Sequence, residues 1–349
     1  MARGLDLKGL FLILAIAAIS LLVIFSINRP LFYNQLIFWT VGLAIFYLAS
    51  SFHHQVWEDL AKPIYGLSII LLLVIFLIAE PVRGSVRWID LGVFRIQPSE
   101  VAKVSAVLVL AKYFSAKSAL VAKNVLISFL IVFPAVFLVF LQPDIGNALP
   151  FLGIWASLAV ASGFKFKHFL TSAVFLILAS VILFQFLEPY QKARITAYIN
   201  PAQDRLGTGY QIIQSKIAIG SGQLLGKGLG QGTQSQLRFL PEAESDFIFA
   251  AIAENLGFVG AGLLIILYAA LILRILGFSQ KQNRFAQMIV VGAVTILSVQ
   301  MFINIGMNLG LVPVTGITLP LVSYGGSSLL STLFLLGIAF SIKKHGLDG

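Results

Sequence analysis

The chain of 349 residues contains no cysteine. Disulfides, thiolate metal sites and cysteine nucleophiles are therefore excluded, while the redox compartment stays undetermined. Charge is scarce as well: 11% of residues are Asp, Glu, Lys or Arg against 58% apolar, and the mean hydropathy is +0.95. A water-soluble domain cannot be built with so thin a polar skin, which places the chain in a bilayer. A cleavable leader is also missing from view, because the first apolar run, Leu10 to Ile27, is followed by Asn28-Arg29-Pro30 rather than by small residues. That run is expected to remain as a first span. The excess of ten positive charges serves orientation and attraction to anionic head groups, and does not imply nucleic acid.

Apolar runs of roughly 17 to 25 residues, the length that crosses hydrocarbon, fall near 9–28, 35–52, 64–80, 99–114, 124–142, 146–163, 168–187, 246–274, 286–310 and 322–342. The expected fold class is an all-α polytopic membrane protein of about ten transmembrane helices. It forms a single integral membrane domain over 1–349, with a large extracytoplasmic loop at 188–245 between the seventh and eighth helices. Arg3, Lys8, Lys62, Lys117, Lys123, Lys165, Lys167, Arg274, Lys281, Arg284, Lys343 and Lys344 collect on the face shared by the two chain ends, which the positive-inside rule makes cytoplasmic. The acids Glu80, Asp90, Glu100, Asp144, Glu188, Asp204, Glu242, Glu244 and Asp246 lie at the other ends of the spans. The chemistry is therefore expected outside. Within the long loop, Tyr210 to Ile219 reads as an amphipathic membrane-surface helix, and the glycines at 220, 222, 226, 228, 230 and 232 read as a flexible hinge. The Gly-Lys-Gly-Leu-Gly-Gln-Gly stretch has no preceding strand and no Walker sequence, so nucleotide binding is disfavoured.

Asp246 directly precedes an apolar run long enough to span, where an ionised group is costly without a task. It is a functional candidate, or else an N-terminal residue that satisfies helix amides. Glu100 follows Pro98 and Ser99 and has the same two readings; Lys103, three residues on, shares its face and makes an ion pair natural. Asp144 is either an N-cap on the sixth span or a site residue. Ser323-Tyr324-Gly325-Gly326-Ser327-Ser328 lacks the Gly-X-Ser-X-Gly elbow, and His53, His54, His168 and His345 all map to the cytoplasmic side, so a serine hydrolase is disfavoured. Small residues in that segment instead permit close packing and a broken helix. Asn304 and Asn308, four apart, are expected to hydrogen-bond neighbouring helices.

Five motifs in order carry a resemblance: Arg87-Trp88-Ile89-Asp90-Leu91-Gly92, Gln97-Pro98-Ser99-Glu100-Val101-Ala102-Lys103, Leu141-Gln142-Pro143-Asp144-Ile145-Gly146, Gly209-Tyr210-Gln211-Ile212-Ile213-Gln214-Ser215, and Leu319 through Ser328. With this order and spacing the chain resembles the SEDS family of bacterial cell-wall proteins over nearly its whole length. The run Gly230 to Leu237 resembles the elongation branch rather than the division branch. The resemblance implies a peptidoglycan glycosyltransferase that polymerises lipid II on the outer face of the cytoplasmic membrane, alongside a class B penicillin-binding protein that cross-links the peptides.

Asp246 then corresponds to the aspartate of the family's Thr-Asp-Phe motif, here Ser-Asp-Phe, and is assigned as the base that takes the proton from the acceptor sugar 4-hydroxyl. Glu100, Lys103 and Asp144 become site support. Arg83, Arg87 and Arg95 break the positive-inside trend on the outer side, and the planar guanidinium suits a lipid pyrophosphate. The alternative for them is interfacial anchoring, with Trp88 in the aromatic belt. Gln97, Ser99, Gln214, Lys216, Lys227 and Arg238 complete the substrate-binding candidates. Glu100, Asp144 and Asp246 are expected to hold magnesium or manganese if the fold gathers them, and no organic cofactor is expected. Ser245 stands where the family usually has threonine, and Asn255 where a second glutamate is frequent. A lipid II flippase or another transporter is the rival reading; the clustering of polar groups on one face speaks for surface chemistry instead.

Overall fold

The computed structural model describes residues 4–78, 87–90, 92, 95–165, 192, 196–201, 204, 207–280 and 282–345. The expected seventh span, Arg83 and, in the long loop, residues 188–191, 193–195, 202–203 and 205–206 lie outside the described residues.

Eleven α-helices make up the described architecture: α1 (Leu7–Ile27), α2 (Arg29–Ser51), α3 (His54–Ile78), α4 (Pro98–Ala116), α5 (Ala122–Leu141), α6 (Ile145–Ala161), α7 (Thr208–Ser221), α8 (Thr233–Gln236), α9 (Ile248–Leu276), α10 (Arg284–Leu309) and α11 (Gly326–Lys344). A two-residue hairpin, β1 (Ile89–Asp90) with β2 (Arg95–Ile96), precedes α4. Polar side chains mark the helix starts. Asp6, Asn28, Asp144 and Asn283 each accept from a backbone N–H three residues on, at 2.8–3.3 Å, which satisfies one otherwise orphaned donor of the first turn.

Seven of these helices are long and apolar enough to cross a membrane: α1, α2, α3, α5, α9, α10 and α11. The remaining two expected spans, α4 and α6, are also helical. The 17 residues of α6 fall short of the usual crossing length, and α4 carries Glu100, Lys103 and Lys112. The charge on α4 is tolerable because the helix is buried along almost all of its length, packed by α3, α5, α6, α10 and α11. A helix apolar all round belongs in a core, and here the core helix also carries the site.

The glycine-rich run behind α7 is not a hinge. Its backbone docks on a break in α9, where Gly257 has φ +67 and ψ −167. Lys227 N and Gly228 N donate to the carbonyls of Glu254 and Asn255 at 2.9 and 3.1 Å, while Phe258 N and Val259 N donate back to Gln223 and Leu224 at 2.8 and 3.1 Å. A Cβ at Gly222 would stand 1.9 Å from the Ala253 carbonyl oxygen, and one at Gly226 would stand 2.2 Å from that of Asn255. The glycines are there for close approach rather than for freedom. Glu254, fully buried, anchors the same region by accepting from Gln234 N and Ser235 N at 2.8 and 2.9 Å. These are the opening amides of α8, so the charge meets a helix N-terminus. The expected amphipathic helix is present as α7, with Ile212, Ser215 and Ala218 buried against α9 and α10.

At the opposite end of the bundle, Asp6 ties three helices together. It accepts from Arg274 Nε at 2.9 Å and from Lys343, in addition to its own cap bond. The Arg274 guanidinium and then the Lys343 ammonium hold its carboxyl well below the usual carboxylate range against the opposing effect of burial.

At Gly257 an added Cβ would meet Gly226 N at 2.3 Å and Leu224 O at 2.5 Å, both backbone. Gly257→Ala is expected to destabilise the protein by about 2–3 kcal/mol through positive φ and overlap together. Gly262→Ala, where a Cβ meets nothing within 4 Å, leaves thermal unfolding in detergent unchanged or slightly improved. Equal melting temperatures for the two variants would refute the docking role of the glycine run.

Candidate functional site

Between α10 and α11 the chain runs without helix from 310 to 325, yet Leu319, Leu321 and Val322 are almost fully buried. Irregular backbone inside a membrane protein has to find its hydrogen bonds within the protein. Here side chains supply them. Asn304 Nδ2 donates to Ile317 O at 2.7 Å, Tyr268 OH to Pro320 O, Ser20 Oγ to Val322 O at 2.5 Å and Gln35 Nε2 to Ser323 O at 3.2 Å. Ser323 Oγ accepts from Leu319 N at 2.8 Å and donates to Ser245 O at 2.6 Å, and Tyr324 N donates to Glu244 O at 2.8 Å.

That scaffold positions Asp246. Its carbonyl oxygen accepts from both Asn304 Nδ2 and Asn308 Nδ2 at 3.0 Å, while Asn308 Oδ1 accepts from Ala250 N, also at 3.0 Å. The asparagines thus bond the backbone around the start of α9, as their spacing suggested. Phe247, not Asp246, occupies the cap position and makes no side-chain cap bond, and Asp246 is half-buried. Gly316, with φ +74, lies beside it: a Cβ there would stand 3.6 Å from Asp246 Oδ2.

One residue earlier, Thr315 abuts the mouth of α6, since a Cβ on Gly146 would stand 2.6 Å from the Thr315 carbonyl oxygen. From there a buried polar chain crosses to α11. Asp144 receives Arg87 at 3.6 Å, Gln97 Nε2 at 3.2 Å and Asn147 Nδ2 at 2.9 Å. Asn147 Oδ1 accepts from Lys103 Nζ at 3.2 Å, and Lys103 Nζ donates to Glu100 Oε1 at 2.7 Å. Glu100 Oε2 accepts from Ser331 Oγ at 3.4 Å. Arg87 also donates to the carbonyls of Gln142 and Pro143, and Ser327 Oγ bridges Gln97 N and Arg95 O at 3.0 and 2.9 Å.

The structure therefore gathers Arg87, Gln97, Glu100, Lys103 and Asp144 into one network, with Ser99 buried at its edge and Trp88 half-buried next to Arg87 in the chain. Asn147 and Ser331, which complete it, had only weak signals: Asn147 lies three residues past Asp144, and Ser331 has no charged neighbour in sequence. The loop candidates stand apart. Lys227 pairs with Glu254 at 3.3 Å and donates to Thr233 Oγ1 at 2.9 Å; Lys216 lies over Gly310; Gln214 is half-buried on α7; Arg238 is exposed, with φ +57. Arg95 pairs with Asp90 at 3.0 Å near solvent, and Gly92 N together with Arg95 lowers the Asp90 carboxyl below its ordinary value.

The expected three-carboxylate metal site is not formed. Among the described residues no three His, Cys, Asp or Glu side chains are grouped to hold an ion. Glu100 is committed to Lys103, and Asp144 to Arg87, Gln97 and Asn147, so their lone pairs already have cationic or amide partners. Asp246, half-buried, lies beside Gly316, and the neutralised polar wall begins at Thr315 and Gly146. The arrangement suits accepting a proton from a hydroxyl while positive groups receive a departing anion.

Comparison with known proteins gives a consistent result. A family model described as "Cell cycle protein", covering FtsW, RodA and SpoVE, matches residues 2–347. The chain is 39% identical over 348 residues to peptidoglycan glycosyltransferase MrdB of Escherichia coli K12, covering 98% of this chain and 94% of that protein. It is 35% identical over 321 residues to stage V sporulation protein E of Bacillus subtilis 168, covering 89% and 86%. Among solved structures, the Thermus thermophilus rod shape determining protein RodA superposes with a TM-score of 0.74 at 28% identity over 97% of each chain. A chain from a peptidoglycan synthase complex that coordinates polymerisation and crosslinking superposes with a TM-score of 0.85 at 31% identity, over 98% of this chain and 99% of that one.

Lys103 and Glu100 are both almost fully buried. Lys103→Met is expected to cost about 3–5 kcal/mol, because it strands a buried carboxylate, whereas Lys103→Met combined with Glu100→Gln costs clearly less. Denaturant or thermal unfolding of the single and double variants measures this; a double variant as unstable as the sum of its parts would rule out a direct charge pair.

Proposed function

The chain belongs to the FtsW, RodA and SpoVE family and is a multi-pass membrane peptidoglycan glycosyltransferase; from that premise we propose that it polymerises lipid II with Asp246 as the general base. Elongation of the cell wall, rather than division, is the setting, in keeping with the MrdB and RodA likeness. Both chain ends lie in the cytoplasm and the site faces outward, at the outer surface of the cytoplasmic membrane. A class B penicillin-binding protein, a transpeptidase, is the partner, by analogy with the synthase complex that the chain resembles.

The acceptor sugar's 4-hydroxyl attacks C1 of the donor sugar. As the new C1–O bond forms, the bond from C1 to the pyrophosphate breaks, the Asp246 carboxylate takes the hydroxyl proton, and undecaprenyl pyrophosphate departs as an anion. Asp246 is placed for this by its main chain: two asparagine amides hold its carbonyl, and that observation carries the proposal. Fixing the backbone on either side of a half-buried side chain restricts where the carboxylate can point. The exposed Arg238 and Lys216 are the cations nearest in kind to what the pyrophosphate needs. The Glu100–Lys103 and Arg87–Asp144 pairs act as rigid walls whose charges cancel. A magnesium or manganese ion enters this proposal as a companion of the pyrophosphate, whose charge it would neutralise, not as a resident of a carboxylate cage.

Purified protein supplied with lipid II and a divalent cation makes glycan polymer under this reading. Asp246→Asn lowers the rate by about 10²–10⁴-fold or more, the usual worth of a positioned general base, with lipid II binding and the melting temperature retained. Full polymer from Asp246→Asn removes the base assignment. Movement of labelled lipid II across sealed vesicles with no polymer from the wild type would replace the enzyme by a flippase.

A further inference from the structure

At the end of the bundle remote from Asp246, α1 and α9 run antiparallel and leave between them an open groove of about 600 Å³, within the range of about 300–1,000 Å³ typical of small-ligand sites. Its composition changes along its length. Lys8 and Arg274 stand at the mouth, next to Leu7, while Phe11, Leu12 and Leu273 continue the walls towards the middle of the bundle. Phe11 and Leu273 are each 68% exposed and Leu7 is 74% exposed, so the groove opens sideways, towards the surrounding lipid of a membrane-spanning helix pair.

The mouth carries more positive charge than its own protein partners cancel. Asp6 is the only carboxylate bonded there among the described residues, and it is shared by Arg274 and Lys343. Lys8 has no ion-pair partner among the described residues and is exposed. Two cations are thus in surplus over Asp6. Lys8 also sits in the first turn of α1, where the helix dipole disfavours a cation and favours an anion. Asp6, the N-cap, answers that dipole through Gly9 N at 2.8 Å, so the surplus of cations is what an anion seated between Lys8 and Arg274 would offset.

We infer that this groove is a binding site for one anionic phospholipid of the adjacent leaflet, its phosphate between Lys8 and Arg274 and an acyl chain along Phe11, Leu12 and Leu273. A cationic mouth with an apolar trough a helical turn deeper, about 5.4 Å, matches the order of head group and tail in a lipid. A free phosphate or a soluble metabolite would leave the trough unfilled, and a zwitterionic lipid would leave the surplus charge. Basic pockets between helices at the cytoplasmic side are a recognised setting for anionic head groups. The site draws together α1 and α9 at the joint that Asp6 makes, and it is independent of the catalytic assignment.

The test uses the full-length protein, delipidated in micelles and titrated with phosphatidylglycerol or phosphatidylcholine, with retained lipid counted by native mass spectrometry. Wild type is expected to retain one phosphatidylglycerol in preference to phosphatidylcholine. Lys8→Gln lowers that affinity about fivefold, the equivalent of the ~1 kcal/mol that a lysine contributes at an anionic surface. Lys123→Gln, an exposed lysine in the first turn of α5, serves as the control for general surface charge and leaves retention unchanged. Leu273→Glu, which puts an acid in the trough, abolishes it. Glycan synthesis by Lys8→Gln in detergent stays at the wild-type rate, which separates this site from the polymerase site. The inference is overturned if Lys8→Gln and Lys123→Gln lose lipid equally, if the two lipids are held alike, or if inorganic phosphate alone displaces the bound lipid at equal concentration.

Discussion

Sixteen residues of non-helical chain between α10 and α11 have to be satisfied by hydrogen bonds inside a protein made mostly of apolar helices, and much of the site follows from that constraint. Each unmet buried amide or carbonyl would cost on the order of 1–3 kcal/mol. The side chains that prevent this come from α1, α2, α9 and α10: Ser20, Gln35, Tyr268 and Asn304. Once those helices are committed to the irregular segment, Gly316 and Thr315 have fixed positions. The same asparagine that holds Ile317 O also holds Asp246 O. The candidate base is thus positioned by the cost of burying someone else's backbone.

A second constraint governs the other wall. Charges on the core helix α4 are tolerable only as pairs, and Glu100 with Lys103 meets that condition within one helix turn. Asp144 obtains its cation from Arg87 on the segment before the hairpin, which ties a loop to the mouth of α6. Asn147 joins the two pairs without adding charge. The wall is neutral overall, so it imposes little field on an anionic substrate while remaining hard to deform. The exposed cations are left to the long loop, at Lys216 and Arg238.

Hydrophobic run length placed most described spans to within a few residues, because crossing hydrocarbon leaves a strong and local signal, whereas α2 and α3 begin at Arg29 and His54, well before the expected 35 and 64, because their first turns are polar. The capping residues Asp144 and the i, i+3 pair of Glu100 and Lys103 were equally legible, since those interactions are local too. What escaped was long-range. Asp144 and Arg87 were each recognised as candidates, but nothing in a sequence says that residues 57 apart will neutralise one another, and that pairing is what dissolves the expected metal triad. The glycine run misled for a related reason. Composition reports that glycines permit flexibility, whereas the actual requirement is the absence of a Cβ against Ala253, Asn255 and Gly226. The partner half of that signal is Gly257, thirty-one residues beyond Gly226, which looks like an ordinary small residue in a membrane helix until its φ is known.

The break at Gly257 divides α9 into two mechanical units with different allegiances. Residues 246 to 256 are bonded to the glycine run, to α8 through Glu254, and to α10 through Asn308. Beyond the break, Phe258 N and Val259 N still bond the chain ahead of the glycine run, and farther on the helix answers to Pro320 through Tyr268 and to α1 and α11 through Arg274 and Asp6. An unbroken helix would transmit any displacement of one end to the other, because its ladder is continuous. With the ladder interrupted, the glycine run bonds both sides of the break, and the segment next to Asp246 is held by that run and by the asparagines of α10 as well as by its own helix.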